Sequence, residues 1–154
     1  MANRTQSSRA RGIGLVTIIL GVFFLVAGVA TYAEVSRELG QQKITVSSDA
    51  AMFAGQQVTQ PWQAWAEANT IQKHANEISG GKTYAELPQN DPNRQTVMTA
   101  SFLQASLFTS VVAFGVGALA AAVGVVFILI GVALRGLAVP VANANLTTEA
   151  AATG

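Results

Sequence analysis

GVFFLVAGVA at residues 21–30 and GVVFILIGVA at residues 124–133 share six of ten positions, and neither carries an ionisable side chain. Each lies inside a longer uncharged stretch. Residues 12–33 hold no titratable group except the phenol of Tyr32, and Leu, Val, Ile, Phe, Ala and Gly dominate them. At about 1.5 Å per residue, a helix of that length crosses a hydrocarbon layer roughly 30 Å thick. The second uncharged stretch covers residues 95–134, but Thr, Ser and Gln are mixed into 96–106, which puts the second span at about 108–134. The expected fold is an all-α membrane protein: a two-helix transmembrane hairpin with a small, mostly helical extracytoplasmic domain between the spans.

The whole composition agrees. Of 154 residues, 51% are hydrophobic and 11% charged, whereas charged residues approach about a quarter of a soluble domain. With two segments in lipid, the remainder can bury only a small core, which excludes a large enzyme domain. A formal charge of +1, with no cluster in which basic and aromatic residues alternate, argues against nucleic acid. The absence of cysteine removes disulfides, thiolate nucleophiles and Cys-based metal sites.

Flanking charge sets the orientation. Arg4, Arg9 and Arg11 precede the first span without an acid, and Arg135 closes the second. Those ends are expected in the cytoplasm. The segment between the spans is slightly acidic and faces outward, placing the protein in the plasma membrane. A competing reading takes the first apolar run as a signal peptide ending at Thr31, Tyr32 and Ala33; the loop is outside either way. The chain then divides into a basic cytoplasmic N-terminus (1–11), a first transmembrane helix (12–33), an extracytoplasmic loop domain (34–95), a helix that enters and forms the second span (96–135) and a disordered cytoplasmic tail (136–154).

Within the loop, residues 35–42 read as a helical tail stopped near Gly40, and KITVS at 43–47 as a short extended piece. Pro61 suits a first helical position, and Ala64, Ala68, Ile71, Ala75 and Ile78 follow at helical spacing, one face of an amphipathic helix. Gly80 and Gly81 close it. Residues 88–92 form a turn, and Asp91 with Pro92 provides a cap and first residue for a helix that continues unbroken into the second span.

Glycine recurs at steps of seven: Gly14, Gly21 and Gly28 in the first span, Gly117, Gly124 and Gly131 in the second. Each set falls on one helix face. In lipid, small residues allow the close backbone approach that drives helix association, and a sevenfold period suits left-handed packing. Two antiparallel copies could pair face to face, although glycine is also simply common in membrane helices. No Asp, Glu, Lys, Arg or His lies inside either apolar core, which argues against ion-coupled transport; a passive pore formed by oligomerisation stays open.

Other residues carry less. His74 is the sole histidine, with Glu77 one turn away, and a metal site needs three or four ligands, so His74 reads as a solvated residue and no metal or cofactor is expected. Trp62 and Trp65 have three readings: the core of the loop domain, a partner contact, or an anchor at the headgroup layer. Residues 96–108 put Met98, Phe102 and Ala105 on one stripe, suited to a lipid boundary or a protein groove, and equally to a merely soluble first part of the second helix.

The runs KITVSSDA (43–50), NTIQKHANEISGGKTYAEL (69–87) and TVMTASFLQASLFTSVVAFGVGAL (96–119) resemble a family of small actinobacterial two-span membrane proteins. The similarity covers nearly the whole chain before the tail. Many members bear the label of an aromatic ring-opening dioxygenase small subunit. Extradiol ring cleavage uses iron held by two histidines and a carboxylate, and His74 stands alone here, so the resemblance carries over no catalytic residues; it implies the topology and an envelope location. The expected role is non-enzymatic, acting in the lipid bilayer by association with a membrane-protein partner or as a homo-oligomer. The alternatives are a small homo-oligomeric pore and an enzyme of the dioxygenase type.

Overall fold

A computed structural model describes residues 2–137, and among them the regular structure is helical: α1 (Ala2–Gln41), α2 (Pro61–Ser79) and α3 (Arg94–Leu137). α1 and α3 are both long and apolar enough to cross a membrane. The chain divides into two compact units, one comprising Met1–Ala27 with Ala120–Gly154, the other Gly28–Leu119.

In the first unit, α1 and α3 run antiparallel, with Gly14 against Gly131 and Gly21 against Gly124. Half-buried Ile18 and Ile128 flank these pairs, against Gly131 and Gly21, while Ile13, Phe23 and Leu129 point outward. The edge of the Phe24 ring meets Phe127, centroids 6.0 Å apart and planes perpendicular, an arrangement aromatic quadrupoles favour. α3 continues through Gly136 and Leu137, two residues into the segment expected to be an unstructured tail. Nothing in the helix breaks it there, because glycine at the last turn costs a helix only about 1 kcal/mol. The remainder of that expected tail, residues 138–154, lies outside the described residues.

The second unit has a side-chain core. Leu39 of α1, Val46 and Val58 of the loop, Ala64, Ala66 and Ala68 of α2, and Leu107 and Phe114 of α3 form one buried cluster. Residues 44–47 are extended, as expected, and pair with a strand-like partner at 56–58, whereas Lys43, expected to open the extended piece, adopts φ 52° in the turn that ends α1. Val46 N–H donates to Gln56 O and Val58 N–H to Ile44 O, each at 2.8 Å, and Thr45 bridges Gln57 in antiparallel sense. Val46 and Val58 thereby reach the core from adjacent extended segments. The end of α1 is tied to this ladder, because the Gly40 carbonyl accepts from Gln57 Nε2 at 2.7 Å as well as from Lys43 N–H at 3.3 Å.

α2 starts at Pro61, where the missing N–H costs nothing. Gln63 reaches back so that its Oε1 accepts from the N–H groups of Gln60 and Thr59, at 3.1 and 2.9 Å, satisfying donors that a helix start leaves free. At the other end Gly80 adopts φ 64°, ψ 35° and donates to Asn76 O, a left-handed closure that disfavours any residue with a Cβ. The expected apolar stripe is buried at Ala64 and Ala68, half-buried at Ile71 and Ala75, and exposed at Ile78. The burial swings instead onto Gln63, Ala66, Glu67 and Thr70.

α3 begins at Arg94, two residues later than the Asp91 and Pro92 pairing predicts. Pro92 and Asn93 form a turn whose N–H at Asn93 donates to Asp91 Oδ1 at 2.8 Å. The carboxylate therefore caps the turn, and Asn93 O accepts from Val97 N–H. Arg94 locks this corner: its guanidinium lies 4.1 Å over the Tyr84 ring and donates to the carbonyls of Tyr84 and Leu87.

Candidate functional site: a glycine seam and an exposed tryptophan pair

The sharpest feature of α1 and α3 is what they bury. Among residues 9–33 only Gly14, Gly21 and Gly28 are buried, and among residues 115–137 only Gly117, Gly124 and Gly131. The structure brings these six together in pairs. In the first unit, a Cβ added at Gly21 would lie 2.7 Å from Gly124 O, and one added at Gly124 would lie 2.5 Å from Leu25 N and 2.6 Å from Gly21 O. Gly14 and Gly131 repeat this, at 2.7 Å and 2.6 Å from each other's carbonyl oxygens. In the second unit a Cβ at Gly117 would meet Gly28 O at 3.1 Å. In the Gly14–Gly131 and Gly21–Gly124 pairs the partner's backbone leaves no room for a Cβ, and at Gly117 a Cβ would be tight.

The two tryptophans are not core residues. Trp62 is 49% and Trp65 48% exposed, so the core reading of this pair is corrected. The reason lies in volume: the small loop is filled by Val46, Val58 and three alanines together with Leu39, Leu107 and Phe114 from the long helices. No space calls for an indole. Trp62 and Trp65 share one face of α2 by their spacing of three, and Trp65 borders a shallow concavity with Met52, Asn69 and Lys73.

The start of α2 is tied to α1. The Tyr32 hydroxyl donates to Gln60 Oε1 at 2.8 Å, and Gln60 Nε2 donates to Ser36 Oγ at 3.5 Å. Tyr32 also packs on Phe114, ring centroids 4.6 Å apart. Sequence reasoning missed this tie, since a glutamine before a proline shows no preference for a distant tyrosine.

His74 has a partner other than Glu77. Its Nε2 lies 2.8 Å from Asp49 Oδ2, Lys73 Nζ approaches the same oxygen at 3.5 Å, and Glu77 pairs with Lys73 at 3.9 Å. The bond to His74 is the main cause that holds the Asp49 carboxyl below its ordinary range. Among the described residues no three of His, Asp and Glu converge as metal ligands would. The buried carboxylate of Glu67 instead accepts from Ser47 N–H at 2.7 Å and Ser47 Oγ at 3.0 Å, tying the extended loop to α2. That is a structural role, legible only once the loop is folded back onto the helix.

A groove of about 360 Å³ separates α2 from α3, lined by Ile71, Ala75 and Ile78 on one side and Thr96, Ala100 and Leu103 on the other. Phe102, from the Met98, Phe102 and Ala105 stripe, is 67% exposed. Met98 is half-buried and Ala105 exposed, so the stripe turns largely outward. Compared with known proteins, the chain matches no family model, no curated protein and no solved structure.

Proposed function

We propose that this chain is a non-enzymatic integral membrane protein that works by association, as an accessory or scaffold subunit of a larger envelope or respiratory membrane assembly. α1 and α3 cross the plasma membrane, both termini are cytoplasmic, and the loop domain faces outward. One observation carries this reading: around a seam whose fully buried residues are glycines, many of the large apolar side chains face away from the protein. Ile13 (60%), Phe23 (66%), Leu119 (64%) and Leu129 (63%) are all more than half exposed. A helix in water would bury such residues, at about 25 cal/mol for each Å² removed from solvent; a helix in lipid has no such need.

The six glycines meet each other within one chain, so the surface left for a partner is the outward apolar face and the loop domain. A homo-oligomeric pore would have to be built from those same outward faces, without the glycines. The uncharged interior of both spans supports a passive scaffold over a proton or ion relay, which uses buried ionisable groups.

The test is affinity purification of a tagged copy from its native membrane in mild detergent, followed by mass spectrometry and sizing. A reproducible stoichiometric partner is expected. Recovery of bare monomer would remove the basis of the accessory-subunit reading, and a homogeneous homo-oligomer would favour the pore.

A further inference from the structure

We propose that the first turn of α2 sits in the headgroup layer of the outer leaflet, held there by Trp62 and Trp65 as aromatic anchors; this rests on the reading of α1 and α3 as membrane spans. All the geometry lies within Gly28–Leu119. The uncharged stretch of α1 ends at Ala33, and Glu34 is the first charge beyond it. Tyr32 and Ser36 straddle that boundary, and both bond the side chain of Gln60, the residue before α2. The start of α2 is thus pinned at the level where the apolar stretch of α1 gives out.

From that level α2 climbs along α3 in the antiparallel sense, away from the second apolar stretch. Gln72 Oε1 accepts from Gln104 Nε2 at 3.0 Å, and Ile78 O accepts from Asn93 Nδ2 at 3.2 Å. Later positions on α2 therefore meet earlier positions on α3. At about 1.5 Å per residue, Trp62 is about 3 Å and Trp65 about 7.5 Å along α2 from Gln60. The headgroup region adds about 5–7 Å on each side of the hydrocarbon, so both tryptophans fall in or at the edge of it. Helical side chains also slant toward the N-terminus of their helix, which here carries both indoles toward the membrane.

The chemistry fits that location. An indole has an apolar body and one N–H donor, and tryptophan concentrates at the membrane–water boundary for that reason. The half-exposed state of both rings leaves them free to take up lipid contacts. The occupant of this face is the lipid headgroup layer.

The chain has two tryptophans and no cysteine, so native emission reports on this pair alone and a single introduced thiol can report on the span. The full chain would be reconstituted into phosphatidylcholine–phosphatidylglycerol vesicles whose acyl chains are brominated either near the headgroup or near the bilayer centre. In parallel, Leu129→Cys would carry a fluorophore quenched by the same lipids. The expected result is a blue-shifted tryptophan emission that shallow bromine quenches more than deep bromine, with the Leu129→Cys probe, inside the span but toward its inner end, quenched by one or both lipids. Trp62→Phe and Trp65→Phe should each retain the shallow preference of the remaining ring.

A quenched Leu129→Cys probe beside tryptophans insensitive to both lipids would overturn the anchor and leave the spans standing; that is also the outcome for tryptophans reserved for a protein partner. Tryptophans quenched best from the bilayer centre would overturn it as well. A Leu129→Cys probe untouched by either lipid would bring down the spans and the anchor together.

Discussion

The seam between α1 and α3 in the first unit and the core of Gly28–Leu119 solve packing in opposite ways. In the seam the buried positions are glycines, and their neighbours are the partner glycine's carbonyl oxygen together with other backbone atoms and flanking side chains such as Ile18 and Ile128. In the second unit Gly28 and Gly117 are still buried, but most buried positions are Leu, Val, Ala and Phe, together with Gln63, Glu67 and Thr70, whose polar atoms are hydrogen-bonded. Water rewards the removal of apolar side chains from contact with it. Lipid does not, so cohesion there depends on how closely backbones approach. The two packing styles are those of the two solvents the chain is proposed to meet.

The largest effect should come from breaking the seam. Gly124→Leu would force a side chain into a site where even a Cβ lies 2.5 Å from Leu25 N. Helix separation is expected, at a cost of about 3 kcal/mol, the upper end of overpacking penalties. Val125→Leu, at an exposed neighbouring position, should be mild. Denaturant titration of both variants in detergent micelles measures the difference, and equal losses would mean that the seam is not the packing face.

Next comes the buried polar tie of the second unit. Glu67→Ala would leave Ser47 N–H without its acceptor, at about 1–3 kcal/mol for an unsatisfied buried donor. Glu67→Gln, which still accepts one bond, should lose less. Hydrogen exchange over residues 43–58 should accelerate in the alanine variant while residues 12–27 stay unchanged. Faster exchange in both regions would erase the contrast between them.

A smaller loss is expected at the end of α2. Gly80→Ala places a Cβ in a left-handed conformation, costing about 1 kcal/mol, with fraying confined to the last turn of α2. Exchange rates at 76–81 would show it. The smallest effect is acidification. The Asp49 carboxyl is held low chiefly by its bond to His74, and a depressed acid contributes stability above its ordinary pKa that is lost as pH falls through the lowered one. Loosening of residues 48–54 should therefore begin only below about pH 4, and Asp49→Asn should abolish that pH dependence in a nuclear magnetic resonance titration. Both groups are exposed, so the change should stay local.

Much of this is legible in the residue order. Pro61 and Gly80 bound α2 because their backbone demands are local, and the glycine period identifies the face on each long helix because spacing alone decides which residues share it. The start of α3 is displaced from Pro92 to Arg94 because the Asp91 carboxylate caps a turn at Asn93 rather than the helix. Trp62 and Trp65 were open to three readings because bulk and hydrophobicity argue for burial, while their actual exposure depends on small residues elsewhere filling the core. Asp49 beside His74 and Ser47 beside Glu67 depend on how the 47–55 loop folds back, which no local pattern encodes. Trp65, Met52 and Lys73 meet for the same reason.

The reciprocity of the glycine pairs has a further consequence. The direction a Cβ would take from Gly14, Gly21, Gly124 or Gly131 is occupied in the native chain by a second α-hydrogen, and a partner carbonyl oxygen is among the nearest atoms to that position in all four cases. Each residue of a pair thus offers a weak Cα–H donor to the other's carbonyl and receives one in return. Such contacts contribute about 0.5–1 kcal/mol each, and in hydrocarbon they give the carbonyl's spare lone pair an interaction that no lipid tail supplies. Alanine would remove the donor and the space at once, because only glycine carries the second hydrogen.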